Sequence, residues 1–323
     1  MGRRFVLLVA VLLVAVGLAV ADYGCDFAQW YPRQYVAYKA STGPTMDGRL
    51  DEPFWQAVPW TESFVDISGA TVNQPRFDTR AKLRWTEDTL YVAAQLEEPQ
   101  IWATLTEHDS IIYHDNDFEI FLDPDRSSHY YKEYEMNALN TSWSLCLNKP
   151  YLNGGYENSS RVFGSKGWDD QGLRSAVYIN GSLNDPAAAN HYWSVEVAFP
   201  LKHIVYNTTF ALPIRDGDLW HFDLSRVEWR VEVVNNTYQK LPNQNEYNWV
   251  YAPTYVVDIH LPELWANLQF STANPNGTAP ATVDPDASIK VDLPKAGGFL
   301  VSVEDHKTKR IATVRDDRLL LVK

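Results

Sequence analysis

The chain has 323 residues, with 28 Lys+Arg against 41 Asp+Glu and a formal charge of −13 at neutral pH. A surface this acidic repels phosphate backbones, which excludes nucleic acid as an expected partner. It is compatible with neutral sugars or calcium and specifies neither.

The first residues read as an export signal. Arg3 and Arg4 precede an almost unbroken apolar run from Phe5 to Leu18, and Ala19-Val20-Ala21 is a small-x-small cleavage site. A retained anchor is the competing reading, because the run approaches the ~17 residues at the low end for a spanning helix. The cleavage site, and the lack of a basic cluster after it, favour removal and a secreted, extracellular chain with no membrane contact. Cleavage after Ala21 removes two arginines and no acids, leaving 26 Lys+Arg, 41 Asp+Glu and a charge of −15. Export favours a Cys25–Cys146 disulfide over two unpaired thiols, although spacing alone does not reveal proximity. Six N-x-Ser/Thr sequons begin at Asn140, Asn158, Asn180, Asn207, Asn235 and Asn276, and they point to an exposed, glycosylated surface.

Strand signals dominate the rest of the chain. Asp51 and Pro53 predict a short helix through Ala57. Ala81, Leu83 and Trp85 alternate with Arg80, Lys82 and Arg84, then Thr86–Thr89 turns into a strand from Leu90 to Leu96. This is a hairpin whose first strand is expected to bury one face. Further strands are expected at 118–122, 133–138, 143–147, 175–179, 193–199, 220–229 and 268–270, separated by turns rich in Gly, Pro, Asn and Asp. Residues 200–204 predict one helical turn. Trp55, Trp85, Trp143, Trp193 and Trp220 sit in apolar or strand patterns and are expected in the core. The organisation read from this is a signal at 1–21, an N-terminal segment at 22–44, a β domain at 45–271, a linker at 272–287 and a β-rich tail at 288–323. That tail shows strand patterns at 298–304, 309–315 and 319–322, and it is too short to bury much core alone.

Several motifs occur in register: Met46-Asp-Gly-Arg-Leu-Asp-Glu-Pro-Phe-Trp-Gln-Ala57, Thr79-Arg-Ala-Lys-Leu-Arg-Trp85, His114-Asp-Asn-Asp-Phe-Glu-Ile-Phe-Leu-Asp-Pro124, Tyr130-Tyr-Lys-Glu-Tyr-Glu-Met-Asn-Ala138, Trp193-Ser-Val-Glu-Val-Ala-Phe-Pro200, Ser225-Arg-Val-Glu-Trp229, Trp249 and His260–Phe270. Together they resemble carbohydrate-binding module family 9 across roughly residues 45–271. The resemblance implies an all-β, two-sheet antiparallel β sandwich of jelly-roll type with a few short helices. It also implies a non-catalytic site for a poly- or oligosaccharide, such as a cell-wall glycan. Members clamp a sugar between two tryptophans and hold its hydroxyls with carboxylate, amide and guanidinium groups. By motif, Glu119 falls on the hydroxyl-binding carboxylate, Asn137 on a position that is Arg elsewhere, and Tyr113 where one clamping Trp sits. The second clamping Trp is absent, since Ile259-His260 stands there. His260, Trp249, Arg226 and Trp102 are the nearby candidates to rebuild the pocket.

Other chemistries find less support. Glu133 and Glu135 would lie ~6.6 Å apart on one strand face, within glycosidase spacing. Alternating acids on a face are commonly solvated, however, and no nucleophile or zinc motif occurs. The sequence therefore offers no convincing catalytic pair. Asp115-Asn116-Asp117 and Asp123-Pro124-Asp125 supply hard oxygen ligands, and some family members hold structural calcium. Neither run matches the twelve-residue calcium loop. A haem-binding electron-transfer sandwich using Met136 and His260, a glycoside hydrolase accessory protein and an adhesive scaffold without sugar complete the alternatives.

Overall fold

The computed structural model describes residues 32–169 and 172–275, together with the backbone of three strands between 288 and 313. In chain order the strands of the main body are β1 (Gln34–Lys39), β2 (Val65–Asp66), β3 (Thr79–Trp85), β4 (Thr89–Glu97), β5 (Asp117–Asp123), β6 (Tyr131–Asn137), β7 (Ser142–Leu147), β8 (Glu157–Asn158), β9 (Arg174–Asn180), β10 (Tyr192–Pro200), β11 (Leu219–Glu228), β12 (Val231–Val234), β13 (Thr237–Lys240), β14 (Tyr247–Val250) and β15 (Ala266–Ser271). Among the described residues helix is confined to single turns, α1 (Pro53–Gln56), α2 (Ser160–Phe163) and α3 (Leu201–Ile204), with four short 3-10 turns beside them.

Thirteen strands join in one curled sheet ordered β8-β7-β6-β5-β11-β15-β1-β3-β4-β10-β9, with β14 and β2 attached beside β11. The two halves of this path close over one core, so the sheet is a β sandwich. Tyr134 of β6 meets Phe199 of β10 edge-on at 5.6 Å, and Trp220 of β11 meets Phe270 of β15 at 4.7 Å. Such aromatic pairs add about 0.5–1.5 kcal/mol each beyond their buried area. The five tryptophans expected in the core are all buried there or against the sheet's outer faces.

Every strand expected within the main body is present, and the structure adds β1, β2, β8, β12, β13 and β14 there. Strand β1, which precedes residue 45, lies between β15 and β3 and is parallel to both, so the sheet is mixed. In β1, Tyr35, Ala37 and Tyr38 are buried while Gln34, Val36 and Lys39 are half-buried. The first strand of the hairpin, β3, buries both faces rather than one. Its second face is covered by the opening motif: Lys82 Nζ donates to Trp55 O at 2.6 Å, and an Arg84 amine to Phe54 O at 2.7 Å. Trp55 Nε1 and the Gly48 amide both donate to Glu196 of β10, at 2.6 and 2.8 Å. Gly48 has φ of +81°, and a Cβ there would stand 2.3 Å from the Tyr178 backbone nitrogen, so the strap needs glycine.

A separate three-stranded antiparallel sheet consists of β16 (Ser288–Asp292), β17 (Leu300–Glu304) and β18 (Ile311–Thr313). The pattern at 319–322, the export signal, Cys25 and Asn276 lie outside the described residues. Among the described residues, no helix is long and apolar enough to cross a membrane.

Candidate ligand-binding face

Strand β5 positions the site by alternation. Phe118, Ile120 and Leu122 enter the sandwich core, which turns Asp117, Glu119, Phe121 and Asp123 to the other face. On β6, Tyr134 and Met136 take the core, and Tyr131, Glu133, Glu135 and Asn137 join the outer face. Register then sets Glu119 directly opposite Glu135, Phe121 opposite Glu133 and Asp117 opposite Asn137. Strand β11 flanks the other side, with Ser225 opposite Glu119.

The outer face is roofed rather than open. Ile112, Trp265, Leu105, Ile111 and Ile259 pack with Phe121, Tyr131 and Trp143 in a second apolar cluster. Asp117, Glu119, Glu133 and Glu135 are therefore all buried, with Glu119 the most accessible at 5%. Among the described residues, none of the four forms an ion pair with Lys, Arg or His. Their bonds are few: Asp117 Oδ1 accepts from the Val227 amide at 3.1 Å, and Glu135 Oε2 from the Tyr113 amide at 3.1 Å. Asp117 Oδ2 and Glu133 Oε2 have no hydrogen-bond partner.

Burial pushes Glu119 up to about 7, opposed by a hydrogen bond from the Ser225 hydroxyl and reinforced by Glu246. Asp117, Glu133 and Glu135 are raised well above the usual carboxylate range, first by burial and then by the charge of Glu119.

Two tyrosines border this row. Tyr113, at 37% exposure, lies on the 3-10 turn Ile112–His114, and its carbonyl accepts from Trp229 Nε1 at 2.8 Å. Tyr151, at 40%, lies on the turn Tyr151–Asn153 after β7. Burial and the nearby Glu135 raise the Tyr113 hydroxyl, and burial with Glu133 raises that of Tyr151.

The residues singled out in the sequence divide between two places. Tyr113, Glu119 and His260 share the outer face. His260 Nδ1 lies 3.0 Å from the Tyr131 hydroxyl, its ring meets Tyr151 at 4.6 Å, and burial lowers it to about 4. Asn137 is fully buried with its amide engaged structurally. It donates to Leu105 O and Asp115 Oδ2, and accepts from the Leu139 and Thr141 amides.

Arg226 and Trp249 lie elsewhere. Arg226 is fully buried and pairs with Glu98 and Glu228 at 2.8 and 2.9 Å, with Trp249 packed 5.1 Å from its guanidinium. Arg226 directly follows Ser225, the register partner of Glu119, so it faces the other side of the sheet. Trp102 is buried at 4% exposure. Met136 is in the sandwich core while His260 packs on the outer face, so the haem pair is not brought together.

Residues 46–160 match the carbohydrate family 9 binding domain-like family. The family 9 stretch begins at the opening motif and ends after β8. It contains Trp102, Tyr113, Glu119 and Asn137, while Arg226, Trp249 and His260 lie beyond it. Among solved structures, a proposed carbohydrate-binding protein from Bacteroides uniformis ATCC 8492 is similar at a TM-score of 0.52 and 11% identity, over 75% of this chain and all of that one. That likeness supports the shared fold. A family 9 carbohydrate-binding module from Caldicellulosiruptor kristjanssonii is similar in its cellotriose complex at a TM-score of 0.47 and 16% identity, over 77% of this chain and all of that one. Its glucose complex gives 0.47 and 15%, over 76% of this chain and all of that one. No curated protein matches the chain.

Sequence reasoning missed Tyr151 and the joint burial of the carboxylates. Tyr151 comes after Lys149-Pro150 in a turn, where nothing local marks it as a neighbour of β6. The carboxylates were individually visible, but their shared roof joins the nearby Leu105, Ile111 and Ile112 to Ile259 and Trp265, which are far away in sequence.

Proposed function

We propose that the protein is a secreted, non-catalytic carbohydrate-binding protein that takes an extracellular glycan against the face between Tyr113 and Tyr151. The observation that carries this reading is the pair of exposed phenol rings bordering the Glu119 row, inside the family 9 stretch. Sugar rings offer apolar C–H faces edged with hydroxyls, which suit an aromatic surface beside carboxylates. The site lacks the family's two-tryptophan clamp, so Tyr113 and the His260–Tyr151 pair take the aromatic role. Secretion rests on the export pattern at 1–21 and on sequons at Asn140, Asn207 and Asn235, which are exposed.

The test is a glycan array followed by calorimetry on the mature protein, beside Tyr113→Ala and Tyr151→Ala. Binding that each substitution weakens about tenfold or more, with unchanged thermal stability, supports the reading. A protein that binds nothing on the array, or whose binding ignores both tyrosines, sinks it and leaves an adhesive scaffold.

A further inference from the structure

Four carboxylates share one roofed face and, among the described residues, no cationic side chain pairs with them. One ligand oxygen from each of Asp117, Glu119 and Glu135 lies within 4.8 Å of the others. A hard cation bonded to oxygens at ~2.3–2.6 Å keeps its ligands within about 5 Å of one another, so the three oxygens lie close enough to share one ion.

An acidic cluster alone would be weak support, because carboxyls can keep their protons or reach water. Here the second observation is a buried oxygen without a partner. Asp117 has no exposure at all, its Oδ1 is held by the Val227 amide, and its Oδ2 is the oxygen left to the cluster. Glu133, register partner of Phe121 on β6, brings another unpartnered buried oxygen to the same face. Buried oxygens that lack both donors and opposite charge cost several kcal/mol to leave so. Three or four carboxylates also supply enough oxygens, used bidentately or with the Ser225 hydroxyl and water, for the six to eight that calcium takes.

We propose that Asp117, Glu119 and Glu135, with Glu133 beside them, form a binding site for one hard divalent cation of the calcium type. Of the two acidic runs that the sequence offers for calcium, the first supplies only Asp117 and the second nothing: Asp115 is spent on the Thr104 and Leu105 amides, and Asp125 on Thr209. The cation site stands without the sugar reading, since its ligands are not the rim tyrosines.

The test uses the full mature chain stripped with chelator. Terbium is titrated and read by emission sensitised through the nearby Tyr113 and Trp265, then displaced with calcium. The expected result is saturable 1:1 binding that Asp117→Asn and Glu135→Gln each weaken about tenfold or more, while the exposed Glu232→Gln leaves it unchanged. Near-ultraviolet circular dichroism checks that the variants fold. Should a variant fail to fold, crystals of the wild type soaked in terbium locate the ion by anomalous scattering. No saturable signal up to millimolar calcium, unchanged affinity in both folded variants, or an anomalous peak away from the three carboxylates overturns the proposal. Saturable terbium binding in a wild-type protein that takes no glycan sinks the sugar reading and leaves the cation site standing, so the two readings fail separately.

Discussion

Glu119 of β5 and Glu135 of β6 are direct register partners, buried on the same face with no cation opposite either. Like charges placed opposite each other destabilise a strand pair, by about 0.2–1 kcal/mol on exposed sheets. Burial strengthens the repulsion by lowering the local dielectric. The protein keeps a costly arrangement at the place where its family stretch and its rim tyrosines meet.

In chelator at pH 8, Glu135→Gln is therefore expected to raise the melting temperature by about 2–4 °C, the shift that ~1 kcal/mol gives in a domain of this size. The Gln side chain can keep the bond from the Tyr113 amide. A drop in melting temperature would mean that the carboxylate is held by interactions stronger than the repulsion.

Arg226 behaves oppositely. Its guanidinium is buried between Glu98 and Glu228, and Arg76 reaches only Glu228, at 3.0 Å. Arg226→Ala strands Glu98 and is expected to cost about 3–5 kcal/mol in urea denaturation. Tyr113→Ala, at the rim, should cost about 1 kcal/mol or less. Equal costs for the two would refute the division between scaffold and rim.

Asp123 imposes a pH dependence. Burial lifts its carboxyl from 3.8 to about 7, opposed by the Ser128 amide and reinforced by Asp125. Facing it are His221 across the β5–β11 register, Arg126 on the following turn, and Tyr131 and Lys132 of β6. Between 3.8 and about 7 the unfolded chain ionises while the folded one keeps its proton. This stabilisation is complete below 3.8, falls as pH rises and is gone above about 7. Three pH units correspond to about 4 kcal/mol. His221, lowered to about 3, runs the other way and loses stability as pH falls below 6.5. The check is a comparison of Asp123→Asn with wild type from pH 4 to 8. The variant should gain on the wild type steadily as pH rises, and a constant difference would refute the assignment.

Glycosylation is expected first at Asn140, Asn207 and Asn235, which are exposed at turns with φ of 62°, 59° and 51°. Asn158 accepts from the Trp168 amide at 3.0 Å and should be modified least. Peptide mass spectrometry of protein from a eukaryotic secretory host, before and after enzymatic deglycosylation, reads each occupancy. Full occupancy at Asn158 with none at Asn235 would contradict the exposure argument.

Much of the sandwich was legible locally. Alternation in Arg80–Trp85, the turn at Glu87-Asp88 and the aromatic-rich runs after it express a period of two, which short-range patterning displays directly. Strand β1 was harder to read because its half-buried face carries Val36 among the apolar residues of the other face, which blurs the alternation. The site was half legible: Tyr113 and Glu119 come from the motif. Arg226 and Trp249 look equally suitable on paper and turn away from it. A shift of one residue along β11, from Ser225 to Arg226, moves a side chain from the candidate face shared with Glu119 to the packed interior.

The sequence by itself therefore determined the β class, the longer strands of the main body and the family 9 stretch from Met46, because these depend on residues close together in the chain. Only the tertiary structure decided that Asp117, Glu119, Glu133 and Glu135 share one roofed, uncompensated cluster and that Tyr151 stands beside it. Burial and electrostatic coupling depend on register between strands and on segments such as Ile259–Trp265, more than a hundred residues away. No local pattern carries that information.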